Sequence, residues 1–541
     1  YDQGVEITRT RNLTLLAADG ATPVLNGSAL PRGETIVELA PQNDTAIQGL
    51  RIEGFRFEDA PSHSGGSFTS GHGLAMFTDD IVNDVAVVDN TFDNTGTSPP
   101  SDHEGAGIVL DNVDGLLIEN NVLRGVARDG SPIGFGTTLD QKAAITIHDY
   151  DDDNDISDVV VRGNTIVNVT RGMWIGGIAP ASNARLDDVT VVDNSIEDVL
   201  REGIRAEVAA PAGDGRLLVK DNDLIGADAA IRVNGGEVVI RDLLVRGAAP
   251  DYGIAADDHY GIGLEDGGDV TVRNADIADQ EDDGVKVLNG NLTLRDSTVH
   301  GNPGDALDVR DPTLRLDSVD VGDGTLSGRA TQVTVDEATS WPSLPTGTTA
   351  VGVFNATNRS ADGYLNATVT YTPGDEVLID ESTLDLHRYD EASENWTSLG
   401  AAVDATGNAV TANLTSFSTF AAFGDALGTG DSDSTETGPS GPGGPDRATD
   451  GTQSNDGEPS EGGAASPVTT VAEPSVGSSA DDVGGPTSDG TDAGGGGDVN
   501  ESTVVREPDD PGVLRWFWPL LAILVLALIV ASRRLMGEDE E

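Results

Sequence analysis

The feature that most constrains the fold is a short strand pattern that the chain repeats through residues 1–324. The segment Val189–Ala206, VTVVDNSIEDVLREGIRA, shows one unit: apolar residues at alternate positions, a central asparagine, and a glycine before a second alternating run. Alternation with a period of two places the apolar side chains on one face of a strand, and no helical period is present. The unit recurs at intervals of roughly 22 to 37 residues, a range typical of solenoids and related repeat folds.

Two columns of equivalent residues set the expected register between repeats. The first column contains the turn asparagines, which are Asn90, Asn120, Asn164, Asn194 and Asn222. The second contains the first inward residue of the second strand, preceded by Gly or Ala: Leu74, Ile108, Ile145, Met173, Ile204, Ile231, Ile262, Val285 and Leu307. Asparagine tolerates left-handed backbone at a bend, and stacked amides can hydrogen-bond along the core. We therefore predict a parallel β-solenoid in which Met173 and Ile204 are neighbours in adjacent coils.

Through these repeats, residues 1–324 resemble the right-handed parallel β-helix of the pectate-lyase-like superfamily, in its carbohydrate-binding and sugar-hydrolase repeat form. The resemblance implies an all-β fold built from coils of short stacked strands. It implies no single activity, because the same repeats occur in lyases, hydrolases, epimerases, binding proteins and adhesins.

The charge of the chain indicates its environment. Aspartate and glutamate number 93 against 31 lysines and arginines, which gives a net charge of −62. A folded chain with acidic residues in every segment is typical of adaptation to multimolar salt, where the Debye length falls to about 3 Å. We therefore expect a protein of a salt-loving archaeon, without nucleic acid among its partners. Because the sequence has no cysteine, disulfides, thiolate metal sites and cysteine nucleophiles are excluded.

Three further segments follow the solenoid. Residues 325–425 alternate as in hairpins and predict a small β-sandwich; Tyr389, Trp396 and the ending around Phe417 make it resemble the module that precedes the membrane anchor in many archaeal surface proteins. Residues 426–511 are rich in Gly, Ser, Thr, Asp and Pro and predict a disordered stalk. Residues 512–541 contain an apolar run long enough for one transmembrane helix, followed by a short cytoplasmic tail.

This order of segments predicts a single-pass protein of the cell membrane with most of its chain extracellular. Arg533 and Arg534 follow the apolar run and favour a cytoplasmic C-terminus, and abundant Asn-X-Ser/Thr sequons favour an extracellular glycoprotein. Pro511-Gly512-Val513 stands where similar surface proteins carry Pro-Gly-Phe as a sorting signal, so we expect the anchor to be retained. Because Tyr1 begins inside a coil, we expect a fragment or a processed product that has lost its signal peptide.

Candidate substrate-binding residues lie on the outward face of the second strand and form what we call the strip: Trp174, Arg205, Arg232, Lys286, His148 and Glu207. Adjacent coils stack about 4.8 Å apart, and we expect Arg205 to be exposed while Ile204 and Ala206 are buried. Such a strip suits a sugar ring stacked on Trp174 with uronate carboxylates held by arginines. The alternative is a structural series of ion pairs, such as Arg205 with Glu207 or Glu265.

Three functions remain open. The first, which we favour, is binding of a polysaccharide or cell-surface glycan without catalysis. The second is a polysaccharide lyase or glycoside hydrolase acting on acidic glycans, in which Arg205, Arg232 or Lys286 would be the base of a lyase. Its Ca²⁺ would be held by carboxylates beside the strip: Glu207, Asp111 or Glu265. The third is a purely structural envelope protein.

A second candidate calcium site lies in HDYDDDND. Asp151, Asp153 and Asp155 have the odd-position carboxylates of a calcium loop, but the sixth-position glycine is missing and Arg162 stands where the bidentate glutamate belongs. A solvated acidic turn explains the same residues, and Ca²⁺ is the one cofactor that the sequence suggests. Seven scattered histidines and three methionines argue against the copper-delivery β-helix proteins.

Overall fold

The fold is described by a computed structural model of the 541-residue chain. The residues that it describes are 4–8, 10–31, 34–40, 47–60, 71–76, 82–95, 106–125, 143–149, 155–177, 185–208, 216–247, 259–311, 313–372 and 379–427. All of them belong to the first of two compact units, residues 1–437. The predicted stalk from residue 428 onward and the apolar run Val513–Ala531 lie outside the described residues. Within the ranges given above, no helix is both long and apolar enough to cross a membrane.

Thirty-six strands are found in the described residues, with one short 3₁₀ helix at Glu381–Thr383. The first twelve are β1 (Val5–Ile7), β2 (Thr10–Leu16), β3 (Val24–Asn26), β4 (Val37–Leu39), β5 (Ile47–Glu53), β6 (Arg56–Glu58), β7 (Leu74–Met76), β8 (Val82–Val88), β9 (Thr91–Asp93), β10 (Ile108–Asp111), β11 (Val113–Glu119) and β12 (Val122–Arg124). The next fifteen are β13 (Ile145–Asp149), β14 (Asp155–Arg162), β15 (Thr165–Val169), β16 (Met173–Gly177), β17 (Arg185–Val192), β18 (Ser195–Glu207), β19 (Arg216–Lys220), β20 (Asp223–Asn234), β21 (Glu237–Arg246), β22 (Tyr260–Leu264), β23 (Asp269–Ala278), β24 (Asp283–Val287), β25 (Asn291–His300), β26 (Leu307–Val309) and β27 (Thr313–Val321). The last nine are β28 (Gly324–Thr331), β29 (Val333–Glu337), β30 (Thr348–Asn358), β31 (Tyr364–Thr370), β32 (Asp385–Asp390), β33 (Asn395–Ser398), β34 (Ala402–Asp404), β35 (Ala409–Leu414) and β36 (Thr419–Asp425).

Each coil contributes to three parallel sheets, which we define by the residues of the coil that contains Asn194. Sheet A contains residues 189–192 of this coil, sheet B residues 195–199, and sheet C residues 203–207. In sheet A, β17 pairs with β19; in sheet B, β15 pairs with β18; in sheet C, β16 pairs with β18, all in parallel. Equivalent strands pair in the same way from β1 to β27, so the prediction of an all-β, mainly parallel solenoid is confirmed.

The inward column of sheet C follows the predicted register. Met173 pairs with Ile204, and Ile204 with Ile231, and all three side chains are buried. Burying a side chain of this kind stabilises the fold by about 1.5–3 kcal/mol, so repetition over many coils builds the core. The glycine before Ile204 has a steric reason, because a Cβ at Gly203 would lie 2.4 Å from Leu224 Cδ2.

The asparagine turn forms a buried ladder of side-chain amides. Asn164 Nδ2 donates to Asn194 Oδ1 (2.9 Å), and Asn194 Nδ2 donates to Asn222 Oδ1 (2.9 Å). Two details of the prediction are wrong. The ladder residue of one coil is Asn121 rather than Asn120, and the left-handed residue is the one before the ladder. Asp193, for example, has φ = 56°.

Beyond the parallel coils the pairing becomes antiparallel. β26 pairs with β29 and β27 with β28, and the strands up to β36 continue antiparallel. One cluster of buried apolar residues extends from Ile7 to Ala422. The end of the parallel stack is therefore covered by strands that share its core.

Candidate functional site

The strip is continuous in register, as the sequence predicts. On sheet C, Thr146 pairs with Trp174, Trp174 with Arg205, and Arg205 with Arg232. Gly263 then separates Arg232 from Lys286. The outward residues of successive coils thus form one line.

The predicted exposure of Arg205 is wrong, and most of the strip is buried. Trp174 is 1 % exposed, Arg205 7 % and Lys286 3 %. The Arg205 guanidinium carbon lies 4.8 Å from the centroid of the Trp174 ring, and that of Arg171 lies 5.3 Å from it. Since two guanidinium groups already lie over this ring, a sugar would have to displace them in order to stack there.

The cations of the strip are neutralised within the protein. Arg205 contacts Glu207 at 2.5 Å, which is the structural ion pair that the sequence left open. Glu202 holds the buried Arg171 at 2.7 Å and lies 3.7 Å from Arg205. Burial by itself would raise the pKa of Glu202, but the surrounding guanidinium groups, Arg171 foremost, hold it well below its usual range. Glu202 is therefore a buried carboxylate that organises several arginines.

The second half of the strip is satisfied in a similar way. Arg232 lies 3.5 Å from Glu202 and also pairs with Glu265, and the Tyr260 hydroxyl donates to Glu265 (2.9 Å). The Tyr260 ring lies over Gly263, where an added Cβ would meet it at 2.2 Å. Burial, and then the carboxylate of Glu265, raise the pKa of Tyr260 well above its usual value. Lys286 lies 3.7 Å from Asp283.

Some of the remaining sequence candidates lie within the described residues and others lie outside them. His148 pairs with Asp111 in an adjacent coil, and both are buried. Of the candidate calcium loop, Asp151 and Asp153 lie outside the described residues. Asp155 begins β14, and its side chain is also outside the described part.

A different line of cations, which the sequence analysis missed, lies on the outward face of sheet A. Register places its four members in consecutive coils; we call them the basic ladder: Lys220, Arg241, Arg273 and Arg295. Arg241 and Arg273 are exposed. The ion pairs that the described residues form with the ladder are Lys220 with Asp221 and Arg295 with Asp317 (3.8 Å). The two middle arginines therefore face outward without a described carboxylate partner.

A groove of about 490 Å³ runs beside the middle of the basic ladder. Arg241 and Arg273 line one part of it, and Asp188 and Glu237 line another. Its floor includes the outward residues of sheet A: Thr190, Leu218, Val239 and Thr271. The groove thus offers cations, carboxylates and a partly apolar floor side by side.

The sequence did contain a signal for this surface. Each ladder residue stands two positions before the turn-asparagine position or its equivalent, as Lys220 stands before Asn222 and Arg241 before Leu243. The column of residues two positions before the turn asparagine therefore contains four cations in succession, and the sequence alone shows this.

Comparison with known proteins gives a match between part of the chain and a family whose role is undetermined. A family model described as a protein of unknown function (DUF1565) matches residues 26–223. A search of the curated proteins finds no match. The family match and the stacked parallel strands together fit a fold of the β-helix type.

Proposed function

We propose that this is a cell-surface protein that binds an acidic polysaccharide along sheet A, through the basic ladder. The observation that carries the proposal is the exposure of Arg241 and Arg273 side by side in a chain of net charge −62. In such a chain, an exposed row of cations is a local exception that favours an anionic ligand.

The basic ladder contributes little to the stability of the folded state. Like charges directly opposite on neighbouring strands are destabilising, and Arg241 is paired in register with Arg273. Exposed ion pairs contribute about 0–1 kcal/mol at most, so the pairs at the two ends of the ladder offset little of this. An anionic ligand would relieve the repulsion between the two middle arginines.

The groove suits a uronate-containing chain better than a plain polyanion. Guanidinium groups bind carboxylates through two parallel hydrogen bonds, a role open to Arg241 and Arg273. Asp188 and Glu237 can accept hydrogen bonds from sugar hydroxyls, and Leu218 offers a surface for the apolar face of a ring. Coils repeat at about 4.8 Å, close to the length of one pyranose residue in an extended chain.

The proposal also includes the cellular environment of the protein. We propose a haloarchaeal type of surface glycoprotein, in which residues 1–324 are a pectate-lyase-like β-helix and residues 325–425 are a small β-sandwich module. A stalk and a C-terminal transmembrane helix would then tether it to the membrane. In molar salt the Debye length is about 3 Å, so the ligand must be held by direct contacts rather than by long-range attraction.

We expect Arg241→Ala and Arg273→Ala each to weaken the binding of a polygalacturonate or alginate oligosaccharide about tenfold. This corresponds to about 1.4 kcal/mol, near the lower limit for hydrogen bonds to charged groups. Arg273→Lys should weaken binding almost as much, because it keeps the charge but loses the planar fork. Affinity would be measured by titration calorimetry of the full chain in molar KCl.

The matched control is Arg124→Ala, which removes an exposed arginine of sheet B that is held by Asp93 at 3.0 Å. The affinity of the Arg124→Ala variant for the uronate oligosaccharide should equal that of the unchanged protein. An oligonucleotide of equal charge and a neutral oligosaccharide should both bind more weakly than the uronate. If Arg241→Ala and Arg273→Ala both leave the affinity for the uronate unchanged, a binding role for sheet A is refuted.

The alternative of a lyase receives less support. Its proposed bases Arg205, Arg232 and Lys286 each lie near a carboxylate of the protein, so a substrate proton could reach them only if these contacts were displaced. A purely structural envelope role predicts that no glycan binds, and the titration above distinguishes it from our proposal.

A further inference from the structure

Three side chains of the kinds that coordinate metal ions converge near the start of the sheet C strands, outside the groove on sheet A. They are Asp228, His259 and Glu281, which we call the triad. One ligand atom from each, His259 Nδ1 and two carboxylate oxygens, lies within 4.8 Å of the other two. His259 Nδ1 is 3.3 Å from Glu281 Oε2 and closer to Asp228 Oδ1.

The backbone holds the triad in place before any ligand binds. Asp228 and His259 directly precede Ala229 and Tyr260, which are paired in register between β20 and β22. The amide of Asp283, two residues after Glu281, donates to the carbonyl of His259 (3.1 Å). Three successive coils thus each contribute one side chain from a hydrogen-bonded position.

An ordinary histidine–carboxylate pair does not explain the arrangement. His259 is 5 % exposed and Asp228 6 %, and His259 Nδ1 contacts a carboxylate oxygen of both Asp228 and Glu281 without hydrogen-bond geometry to either one. A ring N–H can point at only one oxygen. A cation accepts the nitrogen lone pair and both carboxylates at once.

We infer that the triad binds a divalent transition-metal ion, with Zn²⁺ as the best-fitting probe. Imidazole nitrogen favours such ions over Ca²⁺ or Mg²⁺, which prefer oxygen ligands. Two ligands at zinc distances of about 2.0–2.1 Å and a tetrahedral angle lie about 3.3 Å apart, and His259 Nδ1 and Glu281 Oε2 are separated by this distance. Asp228 Oδ1 lies closer to the ring than that, so its carboxylate would have to shift when the ion binds. Three protein ligands leave one coordination position for water or for a ligand atom.

The inference is tested with the full chain after treatment with a chelator, in molar KCl near neutral pH. Titration with Zn²⁺ should show one tight equivalent per chain above the weak binding expected of a very acidic surface, and a hundredfold excess of Ca²⁺ should not displace it. Co²⁺ in place of Zn²⁺ should give the visible absorption of a site with nitrogen and oxygen ligands. His259→Ala and Glu281→Gln should each weaken the tight equivalent tenfold or more.

Glu281→Gln is the more informative variant, because Glu281 is exposed and the change is isosteric, so the fold should be retained. Asp266→Asn removes a different exposed carboxylate and should leave the tight equivalent unchanged. Three results would overturn the inference: no tight equivalent, a tight equivalent that survives both triad variants, or its displacement by Ca²⁺. None of them depends on glycan binding, so this site and the proposed function can fail separately.

Discussion

Glu202→Ala is expected to lower the free energy of unfolding by about 3–5 kcal/mol, the cost of breaking a buried ion pair by removing one partner. Glu202 is 3 % exposed and its main partner, Arg171, is fully buried. Without the carboxylate, the guanidinium of Arg171 remains in the interior and loses its ion pair with Glu202. Urea denaturation of the full chain in molar KCl would measure the change.

Glu197→Ala is the matched control. Glu197 lies on the same strand, β18, but is only half-buried, and its carboxylate accepts from the Ser195 hydroxyl (2.9 Å). This change should cost less than about 1 kcal/mol. If Glu202→Ala costs no more than the control, the interior charge network does not stabilise sheet C.

Asn194→Ala is expected to cost about 3 kcal/mol, because it interrupts the amide ladder in its middle. The Asn194 side chain accepts from the Asn164 backbone amide (3.0 Å) and side chain, and it donates to the Val161 carbonyl (3.0 Å). Each buried group left without a partner costs about 1–3 kcal/mol. The same urea denaturation measures this effect.

The position in the ladder provides an internal comparison. Asn222, the last asparagine, accepts from the Asn194 backbone amide and side chain and donates to the Val191 and Lys220 carbonyls. It lacks the bond to a following asparagine that Asn194 has, so Asn222→Ala should cost less than Asn194→Ala. Asn291→Ala removes an exposed asparagine and should cost about 0.5 kcal/mol or less. Equal losses for Asn194→Ala and Asn291→Ala would contradict the structural role of the ladder.

The parallel coils and their register were predictable because alternation with period two determines which side chains face inward. The sequence alone therefore places Met173, Ile204 and Ile231 in one column. The error at Asn120 and Asn121 arose because two asparagines are adjacent there, and either one completes the pattern.

Accessibility was not predictable in the same way. Alternation shows that Arg205 points away from the core. It does not show that Arg171 and Glu202, which stand just before the sheet C segments of their coils, lie over the same face. The triad also escaped prediction, since its members belong to three coils and converge only when these stack. The basic ladder was within reach of the sequence, and it was missed because only the second-strand column was followed outward.

The most direct test of the proposed binding surface is to map arginine reactivity toward a dicarbonyl reagent, with and without a uronate oligosaccharide, by mass spectrometry of the full chain in molar KCl. Arg241 and Arg273 are exposed and should react readily in the free protein, while the buried Arg171 should not. We predict that the oligosaccharide protects Arg241 and Arg273 and leaves the exposed Arg124 unchanged. Protection elsewhere with Arg241 and Arg273 still reactive would contradict binding along sheet A.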